Sequence, residues 1–310
     1  MLIMKQLILF AACLAAASAW GDWKEGLSVR FSASIIGAGR SFFISIPRTV
    51  ATAKNSRWVE TDRPSGPHPS LVMYCPSKND VVVCALFDDN NNIAGLQIAL
   101  PEDLWTGAVF DKATQGFTYW TAPANSHGAR RSYSEPAYWT IQQYFVSGET
   151  LSKTKEERMA AHVEGRVLQE KAVWVSAFNG ELMKLSGIAS EVTDTNSTLF
   201  TEQACIPLMG RHYFYNMTAE TQCTSETILP WFPMVDRRTD QLIATGFMTF
   251  GKIPAENLVK NYFERPPRLQ VELIVPDGPD CLYELTENYG GITMHIYYVD
   301  SPFLINCINN

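Results

Sequence analysis

Five histidines are the residues best suited to chemistry in this sequence: His68, His127, His162, His212 and His295. Imidazole binds metals and titrates near neutral pH, so two brought together would build a metal or acid–base site. No two of the five are close in sequence. His68 and His127 sit in Pro/Ser-rich stretches, and His162 lies between Arg158 and Arg166, whose cations oppose metal binding. His212 and His295 differ, because they occupy the aromatic, strand-like segments HYFY and MHIYY. Each alone reads as a structural histidine bonded to backbone. Together, if folding sets their strands side by side, they are the candidate catalytic pair.

Other catalytic signatures are missing. There is no G-x-S-x-G elbow, no phosphate loop and no H-E-x-x-H. Gly37-Ala38-Gly39-Arg40 is half a dinucleotide fingerprint without a βαβ pattern and reads as a turn before a strand at Phe42. Glu135, Glu272 and Asp300 lie near aromatic residues, as glycosidase carboxylates do, but acids are too common to name an acid and a nucleophile from this alone. Asp88–Asn92 is acidic, yet Ile93 and Ala99 stand where an EF-hand needs Gly and Glu. No metal site and no cofactor is expected.

The aromatic residues suggest binding. Tyr119-Trp120, Tyr138-Trp139 and Tyr144-Phe145 cluster about the stretch 122–136. Along 137–146, Tyr138, Thr140, Gln142 and Tyr144 share one strand face, and Trp139, Ile141, Gln143 and Phe145 the other. One face reads as core. The other, with Trp120, is the candidate binding surface, since aromatic planes beside hydrogen-bonding groups suit sugars and flat apolar molecules. Cross-strand aromatic pairing within a sheet would account for the same residues.

The covalent framework is extracellular in character. Residues 1–19 (MLIMKQLILFAACLAAASA) carry one charge, Lys5, then an apolar run too short to span a bilayer, and end in Ala17-Ser18-Ala19. This is the pattern of a secretory signal peptide. Cleavage at Ala19 would leave six cysteines: Cys75, Cys84, Cys205, Cys223, Cys281 and Cys307. An even number in an oxidising compartment reads as disulfides, and the sequential couples 75–84, 205–223 and 281–307 are the expected pairing. A zinc site is disfavoured by the absence of C-x-x-C and of nearby paired histidines. Asn196-Ser197-Thr198 and Asn216-Met217-Thr218 are N-glycosylation sequons. Asn196 lies in a polar run, whereas Asn216 follows a strand-like segment and is expected to be less accessible.

The elements that must position these groups are mostly strands. Val/Ile-rich runs at 80–87 and 93–100 flank Asp88–Asn92 as a hairpin. Segments 172–178 and 181–185 flank Asn179-Gly180, whose residues accept the positive φ of a type I′ turn. Segment 268–275 alternates, with Leu269, Val271, Leu273 and Val275 on one side, and reads as a half-buried strand. Further strands are expected at 27–32, 42–46, 71–75, 116–121, 137–146, 242–250 and 292–299. Two helices are expected. One covers 155–170, with Thr154 and Glu157 as a capping box and Met159, Val163 and Val167 as the apolar stripe; the other covers 255–263.

The fold class expected is therefore β-rich, all-β or α+β, with mainly antiparallel sheets and about two helices. After the signal peptide at 1–19, a β-rich lobe at 20–150 and a helix-plus-β lobe at 151–310 are one division; a single domain over 20–310 is the other. Two similar lobes would follow from a weak internal match that sets Asp88 against Asp236 and Gly116-Phe117-Thr118 against Gly291-Ile292-Thr293.

Composition agrees with a folded chain. The 310 residues are 46% apolar, 12% aromatic and only 18% charged, which excludes disorder. The net charge of −7 disfavours nucleic acid as a partner, and no later stretch reads as a membrane span. The chain is expected to be a secreted, disulfide-bonded glycoprotein that binds an extracellular small-molecule, glycan or protein ligand. A secreted hydrolase or metal-dependent oxidase using His212 and His295, and a structural or storage protein, are the alternatives.

Overall fold

The strand-forming segments assemble into two antiparallel sheets. The computed structural model describes residues 23–31, 42–122 and 136–308. The signal-peptide segment, Gly37 to Arg40, His127 and Glu135 lie outside the described residues.

The described chain starts with paired strands β1 (Glu25–Arg30) and β2 (Phe43–Ser45). After a short helix α1 (Val50–Asn55), strands β3 (Val59–Thr61), β4 (Val72–Cys75), β5 (Val83–Phe87) and β6 (Ile93–Pro101) form a meander. Then come β7 (Thr118–Thr121), β8 (Ala137–Tyr144), α2 (Gly148–Leu151) and α3 (Lys155–Ala161). The hairpin of β9 (Ala172–Ser176) and β10 (Leu182–Ser186) leads through α4 (Ala189–Thr193) to β11 (Phe200–Ile206) and β12 (Gly210–Tyr215). A second long hairpin, β13 (Trp231–Asp236) with β14 (Gln241–Phe250), precedes helices α5 (Arg268–Ile274) and α6 (Asp280–Tyr289). The last strand is β15 (Gly291–Val299).

One sheet has the order β11-β12-β13-β14-β15-β1-β2. The other runs β10-β9-β8-β6-β5-β4-β3, with β7 also paired to β8. The first two strands thus complete the sheet of the last five, and β9–β10 extend the sheet begun by β3.

Local chemistry sets the turns. Asp88 Oδ1 accepts from the backbone N–H groups of Asn90 and Asn92, closing the β5–β6 hairpin. Asn179 and Gly180 take φ of 57° and 76° between β9 and β10. The weak internal match of the sequence is only partly reproduced. Asp236 ends β13 and Asp88 directly follows β5, each first strand of a long hairpin, but Gly116–Thr118 leads into β7, which does not border β6, whereas Gly291 opens β15, which borders β14.

Strand alternation creates three apolar layers. Ile292, Met294, Ile296 and Tyr298 of β15 join the core between the two sheets, with Ile98, Ile141 and Phe145 from the facing sheet. Tyr297 and Val299 turn to the outer face, where Val275, Leu282 and Tyr283 cover the first sheet. On the outer face of the second sheet, Met73, Trp120, Tyr138 and Tyr144 form the third layer.

Several expectations are corrected. Residues 268–274 are helix α5, not a strand. Pro266-Pro267 precede it, the Nε of Arg268 lies 2.7 Å from Glu272 one turn on, and Val271, Ile274 and Val275 recur at helical spacing against the outer core. Leu269 and Leu273, assigned to the buried face of a strand, are 66% and 56% exposed. The capping box at Thr154 and Glu157 is present, but α3 ends at Ala161, where His162 turns extended. Met159 and Val163 are exposed, so the predicted stripe meets no core, and Val167 is buried beyond the helix. Of the second predicted helix only a 3-10 turn, Ala255–Asn257, forms; Tyr262 and Phe263 are buried without it. Helices α1 and α6 and strands β3 and β11 were not anticipated.

The disulfide pairing is also corrected. Cys75–Cys84 forms as expected, across β4 and β5. The others are Cys205–Cys307 and Cys223–Cys281, not the sequential couples. The first ties β11 to the C-terminal segment, and the second ties the start of α6 to the loop before β13. No helix among the described residues is long and apolar enough to cross a membrane.

Candidate functional site

Sheet order brings His212 and His295 together. His295 lies on β15, flanked by Arg30 on β1 and Gly246 on β14. Phe232 on β13 is opposite Gly246, and His212 on β12 is opposite Met234. Gly246 matters because it has no side chain: a Cβ there would fall 1.8 Å from the ring of Phe232. The ring therefore folds over the glycine, stacks on Phe214 at 4.6 Å and on His212 at 5.7 Å, and meets His295 edge-on at 5.6 Å. The two imidazoles lie 5.9 Å apart, perpendicular to one another.

Each imidazole has one nitrogen committed to the protein. His212 Nδ1 is 3.2 Å from the carbonyl oxygen of Ala204, and His295 Nδ1 is 2.9 Å from Oε1 of Glu264. Glu264 is placed by a two-way backbone bridge to Thr293, one residue before Met294 and two before His295. The Nε of Arg30 stands 3.7 Å from the same carboxylate oxygen, and both side chains are buried. Burial pushes the His212 pKa down to about 3, helped by neighbouring His295 and opposed by the carbonyls of Ala204 and Gly210. His212 is thus neutral at physiological pH. Its Nε2 is buried and has no hydrogen-bond partner.

These groups line a cavity of about 270 Å³ between the outer face of the first sheet and the two helices α5 and α6. Phe214, Phe232, Met248 and Phe250 come from the sheet side, and Val271, Ile274 and Leu282 from the helices. His212, His295 and Glu264 are the ionisable side chains of the lining. Arg268 on α5 pairs with Glu287 on α6 at 2.7 Å and ties the two helices to each other, while the Cys223–Cys281 bridge ties α6 to the loop before β13. Cys205, bridged to Cys307, is itself part of the wall. Among the described residues no group of three or more His, Cys, Asp or Glu is placed to hold a metal ion.

The other candidate residues lie elsewhere. Tyr138, Thr140, Gln142 and Tyr144 do share one face of β8, but that face is buried. Thr140 Oγ1 donates to the Thr118 carbonyl, and Gln142 Nε2 donates to Gln97 and Thr140. Trp120 packs on Tyr138 at 5.7 Å. The set lies in a buried cross-strand ladder, with Gln142 bridging Thr140 and Gln97. His68 packs edge-on against Tyr144, and His162 ends α3. Both sequon asparagines, Asn196 and Asn216, are exposed, so the lower accessibility expected for Asn216 is not found. Glu272 pairs with Arg268 on the roof helix, and Asp300 follows β15.

Sequence reasoning did not single out Arg30 or Glu264. A charged residue directly after Tyr262-Phe263, within a segment whose aromatics must be buried, is the signal that could have found Glu264. No family model matches the sequence, and comparison with curated proteins and with solved structures finds no match.

Proposed function

We propose that this chain is a secreted, N-glycosylated binding protein whose ligand is a small apolar molecule held in the cavity beneath α5 and α6. The intramolecular disulfides fit an extracellular protein. The observation that carries the binding reading is the cavity itself: about 270 Å³, lined by aromatic and aliphatic side chains, with two buried imidazoles set into it. Concave, mostly apolar sites with a few convergent polar groups are the usual form of small-molecule sites. A dry apolar cavity of ~150 Å³ holds benzene. This one is nearly twice that size and suits two fused rings or a comparable aliphatic skeleton.

Titration of the secreted protein with naphthalene tests this. Saturable binding with one-to-one stoichiometry is expected, abolished by filling the cavity with Ile274→Trp. Absence of saturable binding would overturn the reading.

A second reading has one observation in its favour. Glu264 orients His295 as a carboxylate orients a general base. In an enzyme of this kind His295→Gln would abolish turnover of a bound substrate while leaving its binding.

A further inference from the structure

The two imidazoles restrict what the ligand can be. A backbone carbonyl only accepts, so the proton of the neutral His212 ring sits on Nδ1, facing Ala204, and Nε2 presents a lone pair. Glu264 accepts the Nδ1 proton of His295 and so fixes that ring beside His212. The protein therefore supplies an unmatched acceptor, His212 Nε2, at an apolar cavity and spends that ring's donor proton on its own backbone. An unmatched buried acceptor is costly, so the complementary ligand group is a neutral donor. A ketone or ether brings only another acceptor. A ligand carboxylate would bring a second anion next to Glu264.

We propose that the ligand carries a hydroxyl group, whose proton is donated to Nε2 of His212. This assignment rests on the cavity being a ligand site. The acceptor is matched by the hydroxyl, and the rest of the molecule fills the space among Phe214, Met248, Val271 and Leu282. The ligand class is an apolar alcohol or phenol of about ten carbon atoms, by volume.

The test compares three probes of nearly equal size by calorimetry at pH 7.5: naphthalene, 2-methoxynaphthalene and 2-naphthol. The expected result is that 2-naphthol binds about tenfold more tightly than either of the others, the worth of one buried hydrogen bond. The variant His212→Phe keeps an aromatic ring in place and should reduce that preference to less than threefold. Should a variant fail to fold, the three-probe comparison on the wild-type protein still decides. Equal affinities for all three probes, or 2-methoxynaphthalene binding as tightly as 2-naphthol, would overturn the hydroxyl assignment while leaving the cavity a ligand site. Failure of all three to bind would overturn both.

Discussion

Nδ1 of His295 and Oε1 of Glu264 are 2.9 Å apart, on two segments joined by a backbone bridge between Glu264 and Thr293. Arg30, from the other end of the chain, stands behind the same carboxylate. Removing Glu264 would leave a buried guanidinium without its anion. Glu264→Ala should therefore lower stability by roughly 3–5 kcal/mol in guanidinium titrations, the usual cost of breaking a buried pair. Glu264→Gln, which keeps an acceptor for His295, should cost less. A loss below about 1 kcal/mol for the alanine variant would mean the pair carries little of the fold.

His212 gives stability a pH dependence of known sign. Its pKa is 6.5 in the unfolded chain and pushed down to about 3 in the fold, chiefly by burial. The unfolded state thus takes up a proton that the folded state refuses. This contribution is fully present above pH 6.5 and is lost as pH falls from there toward 3, by at most about 1.4 kcal/mol per unit. His68 is shifted the same way by burial and by Arg63, so the comparison must be with His212→Phe. That variant should show a shallower loss of stability between pH 6.5 and 4 in denaturant titrations. Parallel curves would show that His212 does not titrate on unfolding.

The disulfides should rank by the loops they close. Cys205–Cys307 closes a separation of 102 residues, Cys223–Cys281 one of 58 and Cys75–Cys84 one of 9. Chain-entropy reasoning gives losses near 5, 4 and 3 kcal/mol for the respective double serine variants, each figure approximate. Melting temperatures of the three variants check the order. The two long bridges also brace the cavity, so naphthalene affinity should fall in their variants and hold in Cys75→Ser/Cys84→Ser.

Gly246 has no room for a methyl group. Gly246→Ala would drive a carbon into the Phe232 ring and displace the stack that carries His212. A loss of about 1–3 kcal/mol is expected from this overpacking, read as a lower melting temperature. Phe232→Leu in the same chain should recover part of it. No change on the single substitution would show that the ring moves freely.

Both sequons are exposed, Asn196 in the turn after α4 and Asn216 at the end of β12 with a φ of 44°. Protein secreted from a eukaryotic host should lose one glycan mass on Asn196→Gln and one on Asn216→Gln. An unchanged mass for either variant would remove that site.

Much of the fold was legible where short-range chemistry decides it. Asp88 capping its own hairpin, Asn179-Gly180 at positive φ, the capping box of Thr154 and Glu157, and the two faces of β8 all follow from neighbours a few residues apart. Cys75–Cys84 belongs with them, because one hairpin sets its geometry. Segment 268–275 shows where that reasoning stops. Its apolar residues satisfy both a two-residue and a helical period, and the choice falls to the outer core that Val271, Ile274 and Val275 cover.

The sequence by itself thus determined a β-rich chain, its turns, its one local disulfide and its sequons, and it named His212 and His295 without a reason to join them. Only the tertiary structure decided the two long disulfides, the roof of α5 and α6, and the meeting of His212 and His295 with Arg30 and Glu264. Those residues come from β12, β15, β1 and the segment before α5, and no local preference relates them. The order in which strands pair is a property of the whole sheet, set by which faces must be buried against which partners, and it is that order that built the cavity.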